Sequence, residues 1–145
     1  LVASCKDCNT GKLASYARTQ GAQTLHPYYD NYTSEQWLFA RVIHSSPASI
    51  EFYVNAPTYW NQVDKDRVQS HFDNYKLSKR FSIEASNELS DLREEFILHN
   101  STPIIIQQEL QKKTRTYISR YKNSWETALY QALHQDQWYC NGGYI

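Results

Sequence analysis

The chain has 145 residues, of which 41% are hydrophobic and 21% charged, and its basic and acidic residues balance to a net charge of zero. A chain of this length can bury about 70% of its unfolded surface, so this composition indicates a folded globular protein. No apolar run approaches the ~18 residues that cross a bilayer, so we expect no membrane partner. Balanced charge also argues against an extended nucleic-acid surface, because non-specific DNA affinity comes mainly from Lys and Arg.

A Cys-x-x-Cys pair, Cys5 and Cys8, lies near the start of the chain, where residues 4–18 read as a helix with Ser4 as a possible N-cap. Two cysteines at this spacing can bind one tetrahedral zinc ion at about 2.3 Å, but they supply only half of its ligands. The third cysteine, Cys140, is far away and alone. Either residues outside this sequence complete the site, or it is not a zinc site. Since the chain lacks methionine even at position 1, we expect a piece of a longer protein.

Two segments are similar to the HNH endonuclease family. The first is Leu1-Val2 followed by Cys5-x-x-Cys8-Asn9-x-x-Lys12, which resembles the second half of the zinc-bound HNH motif. The second is Leu25-His26-Pro27-Tyr28-Tyr29-Asp30, in the predicted loop over residues 19–32. It resembles a branch that includes the nuclease subunits accompanying an ATPase in anti-phage defence systems of the Septu and retron type. A helical extension ending in a Trp-containing helix also occurs in that branch, and the segment 123–129 fits it.

This resemblance implies a cytoplasmic, metal-dependent enzyme that hydrolyses phosphodiester bonds in DNA, with RNA as the alternative substrate, beside an ATPase partner. Cys5 and Cys8 would bind structural zinc (Zn²⁺), and Asn9 would bind a catalytic divalent ion such as Mg²⁺. Lys12, one helical turn later, would contact the phosphate, and His26 would orient the site or bind metal. The Asp-His pair that supplies the general base should lie upstream, so we expect this chain alone to be inactive.

The residues leave two other functions open. One is a zinc-bound helical interaction module that docks an ATPase. The other is a thiol-disulfide protein, because an apolar strand, a Cys-x-x-Cys and a helix also occur in thioredoxin-like proteins. That fold needs a following βαβ pattern, which the sequence does not display. The other positions also have simpler interpretations. Asn9 would be an early helix residue, Lys12 a solvated lysine and His26 a structural residue.

Beyond the motif, the pattern predicts an α+β, mainly α fold in two parts. Residues 1–30 would be the C-terminal half of an HNH ββα-metal motif, and residues 31–145 a β-hairpin plus a helical bundle. The segments 37–43 and 50–54 predict the hairpin because they are rich in β-branched and aromatic residues, and the run 45–49 separates them. A first helix is predicted over residues 63–75.

Three further helices are predicted from spacing and capping signals. The second helix would bury a face composed of Phe81, Ala85, Leu89, Leu92 and Phe96. The third would begin at Thr102-Pro103 and bury Ile106, Leu110, Tyr117 and Tyr121. The fourth would begin at Asn123, with Glu126 placed as in a capping box. It would carry Trp125, Leu129 and Leu133 and would end at the run 140–143.

Basic residues form two clusters in the helical part. One contains Lys76, Lys79 and Arg80, and the other contains Lys112, Lys113, Arg115, Arg120 and Lys122. The simplest interpretation of each is a solvated helix face.

Overall fold

The computed structural model describes residues 35–145, which form an antiparallel hairpin, four α-helices and a final π-helical turn. Strand β1 is Leu38–Ile43 and strand β2 is Ser49–Val54, with Leu38 opposite Val54 in the register. In β2, buried Ile50 and Phe52 alternate with exposed neighbours, as expected of a strand with one face on the core. The predicted hairpin is confirmed.

The helices confirm the predicted α+β, mainly α class. Their bounds are α1 Gln62–Asn74, α2 Leu77–Leu98, α3 Pro103–Arg120 and α4 Trp125–Gln135, followed by the π-helical turn Tyr139–Gly143. All four helices predicted after residue 60 are present, and the helix predicted over residues 4–18 lies outside the described residues. None of the helices within residues 35–145 combines the length and the apolar character that a membrane crossing requires.

Helix α2 packs its predicted apolar face against β2. Ala85, Leu92 and Phe96 are buried, and Phe81 and Leu89 are partly buried against the same core. The ring of Phe81 meets that of Phe52 edge-on at 5.5 Å between centroids. Spacing of three and four residues therefore identified the buried side of α2 correctly.

Helix α3 begins as predicted, but its last predicted core residue is wrong. The Thr102 side chain accepts a hydrogen bond from the Ile105 backbone N–H at 3.4 Å. Ile106 and Leu110 are fully buried, whereas Tyr121 is 63% exposed. The helix ends at Arg120, and Tyr121 has an extended backbone with φ −141° and ψ 88°, so the helical spacing no longer applies to it.

The buried stripe of α3 contains a residue that the prediction omitted. Thr114 is buried at 7% exposure, and its Oγ1 donates to the Leu110 carbonyl at 2.8 Å. This bond satisfies the hydroxyl, so a threonine can occupy a core position of α3.

Both predicted ends of the last helix are corrected. The N-cap is Ser124, whose hydroxyl accepts from the Thr127 N–H at 3.1 Å, and not Asn123. The helix ends at Gln135 because Asp136 is extended, with φ −94° and ψ 103°. The run 140–143 belongs to the separate π-helical turn, where Gly142 has a positive φ of 118°.

Helix α4 is the centre of the core. It packs against α3 on one side and β1 on another, and it buries a continuous group: Thr127, Ala128, Leu129, Tyr130 and Leu133. Trp37 and Leu38 at the start of the hairpin belong to the same cluster of buried residues as Tyr139 and Cys140 at the end of the chain.

Candidate functional site

The residues that the sequence assigns to the metal motif lie outside the described part of the chain. Cys5, Cys8, Asn9, Lys12 and His26 all precede residue 35, as do the predicted helix over 4–18 and the loop over 19–32. Within residues 35–145, no three His, Cys, Asp or Glu side chains are grouped so that they could hold a metal ion.

Asn123 holds the backbone of the first residues that the structure describes. Its Oδ1 accepts hydrogen bonds from the backbone N–H groups of Trp37 at 2.8 Å and Leu38 at 3.1 Å. Its Nδ2 donates to the carbonyl of Glu35 at 2.8 Å. We call this arrangement, Asn123 with the backbone of residues 35–38, the entry clamp. A single amide side chain can do this because it carries both an acceptor and a donor.

Side chains beside the entry clamp fix the same segment. The Gln36 amide donates to the Gln131 side chain at 2.7 Å and to the Leu38 carbonyl at 3.2 Å. The Glu35 carboxylate accepts a hydrogen bond from Tyr59, and this bond raises the pKa of that phenol. The clamp thus joins residues 35–38 to the loop before α4 and to α4 itself.

Sequence reasoning missed the clamp because it assigned Asn123 a local role as a helix cap. The available signal was the order Asn123-Ser124. Both residue types are good N-caps, and only one of two neighbours can occupy that position. The residue that is not the cap can then form hydrogen bonds with another part of the chain, although the sequence does not identify that part.

A second polar cluster joins the end of β1 to the turn after α4. His44 Nε2 is hydrogen bonded to Asp136 Oδ2 at 2.8 Å, and the imidazole stacks on Trp138 with 4.2 Å between centroids. Asp136 Oδ1 accepts from the Tyr139 N–H at 2.8 Å. A His-Asp pair can transfer a proton, but this pair also has an evident structural role in fastening the hairpin to the end of the chain.

The thiol of Cys140 is free and buried, at 5% exposure. Its sulfur donates to the Leu133 carbonyl at 3.5 Å. Burial raises the pKa of this thiol, with a further contribution from Asp136. A reactive redox cysteine needs a lowered pKa and access to solvent, so Cys140 has the properties of a core residue.

The outward surface in the middle of α3 is polar and basic. We call it the α3 face, and it consists of Gln108, Gln111, Lys112, Arg115 and Thr116. All five residues are exposed. Their spacing of three and four residues places them on one side of the helix.

No protein-family model matches the chain, and no solved structure matches it. The chain is similar to protein ea31 of Escherichia phage lambda, with 31% identity over an alignment of 159 residues. The alignment covers 98% of this chain and 53% of ea31, so the chain spans about half the length of this relative. The similarity therefore relates nearly all of this sequence to part of a phage protein whose name states no activity.

Proposed function

We propose that this chain is part of a cytoplasmic, metal-dependent HNH endonuclease that hydrolyses phosphodiester bonds in DNA, in anti-phage defence. The observation that carries the proposal is the motif Cys5-x-x-Cys8-Asn9-x-x-Lys12, followed by the segment 25–30. The second motif follows shortly after the first, as in the family branch that the two motifs resemble.

In this proposal the residues have distinct tasks. Cys5 and Cys8 bind structural zinc, which stabilises a motif too small to have a large core of its own. Asn9 supplies an oxygen ligand to a divalent ion such as Mg²⁺, which would stabilise charge on the scissile phosphate. Lys12 contacts that phosphate and His26 helps to orient the site.

Metal analysis of the purified full-length protein tests the zinc assignment. We expect one zinc ion per chain, lost in the Cys5→Ser/Cys8→Ser double variant because two thiolates are removed from the coordination shell. Cys140→Ser is the matched control, since Cys140 is buried and hydrogen bonded to Leu133, and it should retain zinc. Zinc that persists in the double variant would contradict the assignment.

Cleavage of supercoiled plasmid tests the enzymatic role. We expect Mg²⁺-dependent nicking by the full-length protein and its loss in Asn9→Ala, with zinc content unchanged. Cleavage at the wild-type rate by Asn9→Ala would show that this amide is not a ligand of the catalytic ion. Nicking that persists in EDTA would contradict metal dependence altogether.

An interaction module that docks an ATPase is a second candidate, favoured by one surface feature. The corner between α2 and α3 exposes four large aliphatic side chains, Ile97, Leu98, Ile104 and Ile105, with Leu98 at 80% exposure. Clustered exposed aliphatic groups are typical of protein contacts. Leu98→Asp/Ile104→Asp should abolish co-elution with the ATPase if docking is the main task. Undiminished co-elution would count against it.

A further inference from the structure

The α3 face differs in composition from the other sides of its helix. The opposite side carries Ile106, Leu110 and Thr114, which are buried, and α3 packs mainly against α4. The α3 face itself presents two side-chain amides, an ammonium, a guanidinium and a hydroxyl. Every one of these five side chains can donate a hydrogen bond, and none is negatively charged.

Carboxylates in the described part of the chain do not neutralise the two cations of this face. Lys112 and Arg115 form no ion pair with any other residue between 35 and 145, where the ion pairs join Arg41 to Glu51 and His44 to Asp136. Glu109, the single acidic residue of α3, lies at the edge of the face, one helical turn before Lys112, and forms no ion pair with it. The positive charge is therefore available to an external anion.

The dimensions of the face suit a nucleic-acid backbone. From Gln108 to Thr116 the helix rises about 12 Å, at 1.5 Å per residue. One strand of duplex DNA presents a phosphate every ~3.4 Å along its axis, so the face can lie beside about three or four phosphates. Lys112 and Arg115 are one turn apart, which allows each to reach a different phosphate.

We infer that the α3 face binds the phosphodiester backbone of the DNA substrate, an inference that rests on the nuclease function proposed above. Arg115 donates paired N–H groups to one phosphate, and Lys112 places a point charge beside a neighbouring one. Gln108, Gln111 and Thr116 donate neutral hydrogen bonds, which are common contacts to phosphate and sugar. These contacts position the duplex without reading its sequence.

The chemistry of the face favours DNA over an acidic protein surface. Buried centres of protein interfaces are enriched in aromatic and apolar side chains and depleted in lysine. The five residues of the α3 face include no apolar or aromatic anchor. The exposed Ile104 and Ile105 lie at the N-terminal end of the same helix, so the apolar surface ends before the donor-rich stretch begins.

Binding of a short fluorescein-labelled DNA duplex to the zinc-loaded full-length protein, followed by anisotropy without added Mg²⁺, tests the inference without cleavage. Lys112→Glu/Arg115→Glu should weaken affinity about 30-fold or more at about 0.15 M salt, because two phosphate contacts are lost. The slope of log affinity against log salt should fall by about 2. Lys112→Arg/Arg115→Lys preserves both charges, so it should keep the salt slope near wild type and lose much less affinity than the charge-reversed variant, although Arg115→Lys removes the paired donation.

Lys79→Glu/Arg93→Glu is the matched control. Both residues are exposed on α2, and the net charge changes by the same amount as in the α3 variant. The control should bind DNA within about twofold of wild type, because screening weakens charges that do not touch the duplex. An equal loss of DNA affinity in the α3 variant and in the α2 control would indicate a general charge effect and would overturn the inference.

Plasmid cleavage in Mg²⁺ separates failure of this inference from failure of the proposed function. If wild type and the α3 variant bind and cleave equally, the α3 face is not a DNA contact, but the nuclease assignment stands. If wild type neither binds nor cleaves, both are wrong. If the α3 variant binds DNA normally but loses an ATPase partner, the face is a protein-docking surface and the inference is overturned.

Discussion

Replacing Asn123 with alanine should destabilise the fold far more than its position in a loop suggests. The change removes the acceptor for two backbone N–H groups and the donor to the Glu35 carbonyl. Trp37 and Leu38 are 7% and 1% exposed, so water does not readily replace the lost partner. The substitution leaves buried donors unsatisfied at the point where the hairpin begins.

Hydrogen-bond energies set the expected magnitude. Each intramolecular bond contributes about 1 kcal/mol, and each buried donor left without a partner costs about 1–3 kcal/mol. Because the three bonds share one side chain, their losses do not simply add, and we expect about 3 kcal/mol in the free energy of unfolding. For a domain of this size that corresponds to a fall in Tm of roughly 10 °C.

Chemical denaturation followed by circular dichroism measures this loss, and two variants calibrate it. Asn123→Asp keeps the acceptor and removes the donor, so it should lose less stability than Asn123→Ala. Ser124→Ala removes the N-cap of α4 and should cost about 1 kcal/mol. If Asn123→Ala costs no more than Ser124→Ala, the clamp is not a major contributor to stability and the reasoning is refuted.

Amide hydrogen exchange adds a local readout to the same variant. The amides of Trp37 and Leu38 should exchange faster in Asn123→Ala, by a larger factor than the amide of Leu92 within α2. Uniform acceleration at all three amides would indicate global destabilisation without a specific clamp.

Three further results are expected. Leu129→Ala in α4 should lower the free energy of unfolding by about 2–5 kcal/mol, because Leu129 is 0% exposed and its removal leaves a cavity. Chemical denaturation with an unchanged m-value measures this loss. A loss below about 1 kcal/mol would contradict the central place of α4 in the core. Burial lowers the pKa of His134 below 6.5, so the unfolded state binds the proton more readily and the free energy of unfolding should fall as the pH drops below about 6.5. His134→Gln should flatten that part of the plot of stability against pH. An unchanged plot would refute a role of His134 in the pH dependence. Pulsed alkylation, read by peptide mass spectrometry, should modify Cys140 slowly in the native protein and rapidly in urea. Burial raises the pKa of the Cys140 thiol and restricts access of the reagent. Equal alkylation rates in the two conditions would contradict the burial of Cys140.

Regular periodicity made the hairpin and the helices predictable from sequence. Alternation in β2 and the three- and four-residue spacing in α2 depend on short-range geometry, which the sequence displays directly. The start of α3 was also predictable, because Thr102 and Pro103 both favour a helix N-terminus.

Features that depend on distant contacts were not predictable in this way. The side chain of Asn123 has a plausible local use as a cap, and only the folded arrangement places Trp37 beside it, 86 residues away in sequence. Tyr121 continues the spacing of α3 but falls beyond its last residue, so periodicity alone assigns it wrongly to the core. Two cations of the α3 face, Lys112 and Arg115, were visible in the sequence as part of a basic cluster, but their lack of an ion pair within residues 35–145 is a property of the fold. Cys5, Cys8, Asn9, Lys12 and His26 remain predictions because they lie outside residues 35–145.

The entry clamp also determines when the hairpin can be completed during synthesis. The amide of Trp37 must await Asn123, which the ribosome adds 86 residues later. At about 5–20 residues per second, that interval lasts roughly 4–17 s. Once residue 54 has been added, β1 can pair with β2, but α4, which packs against β1, has not yet been made. A nascent chain therefore carries a hairpin without α4 against β1 for seconds, and translation pauses before residue 123 would prolong the exposure of β1 to chaperones or to other chains.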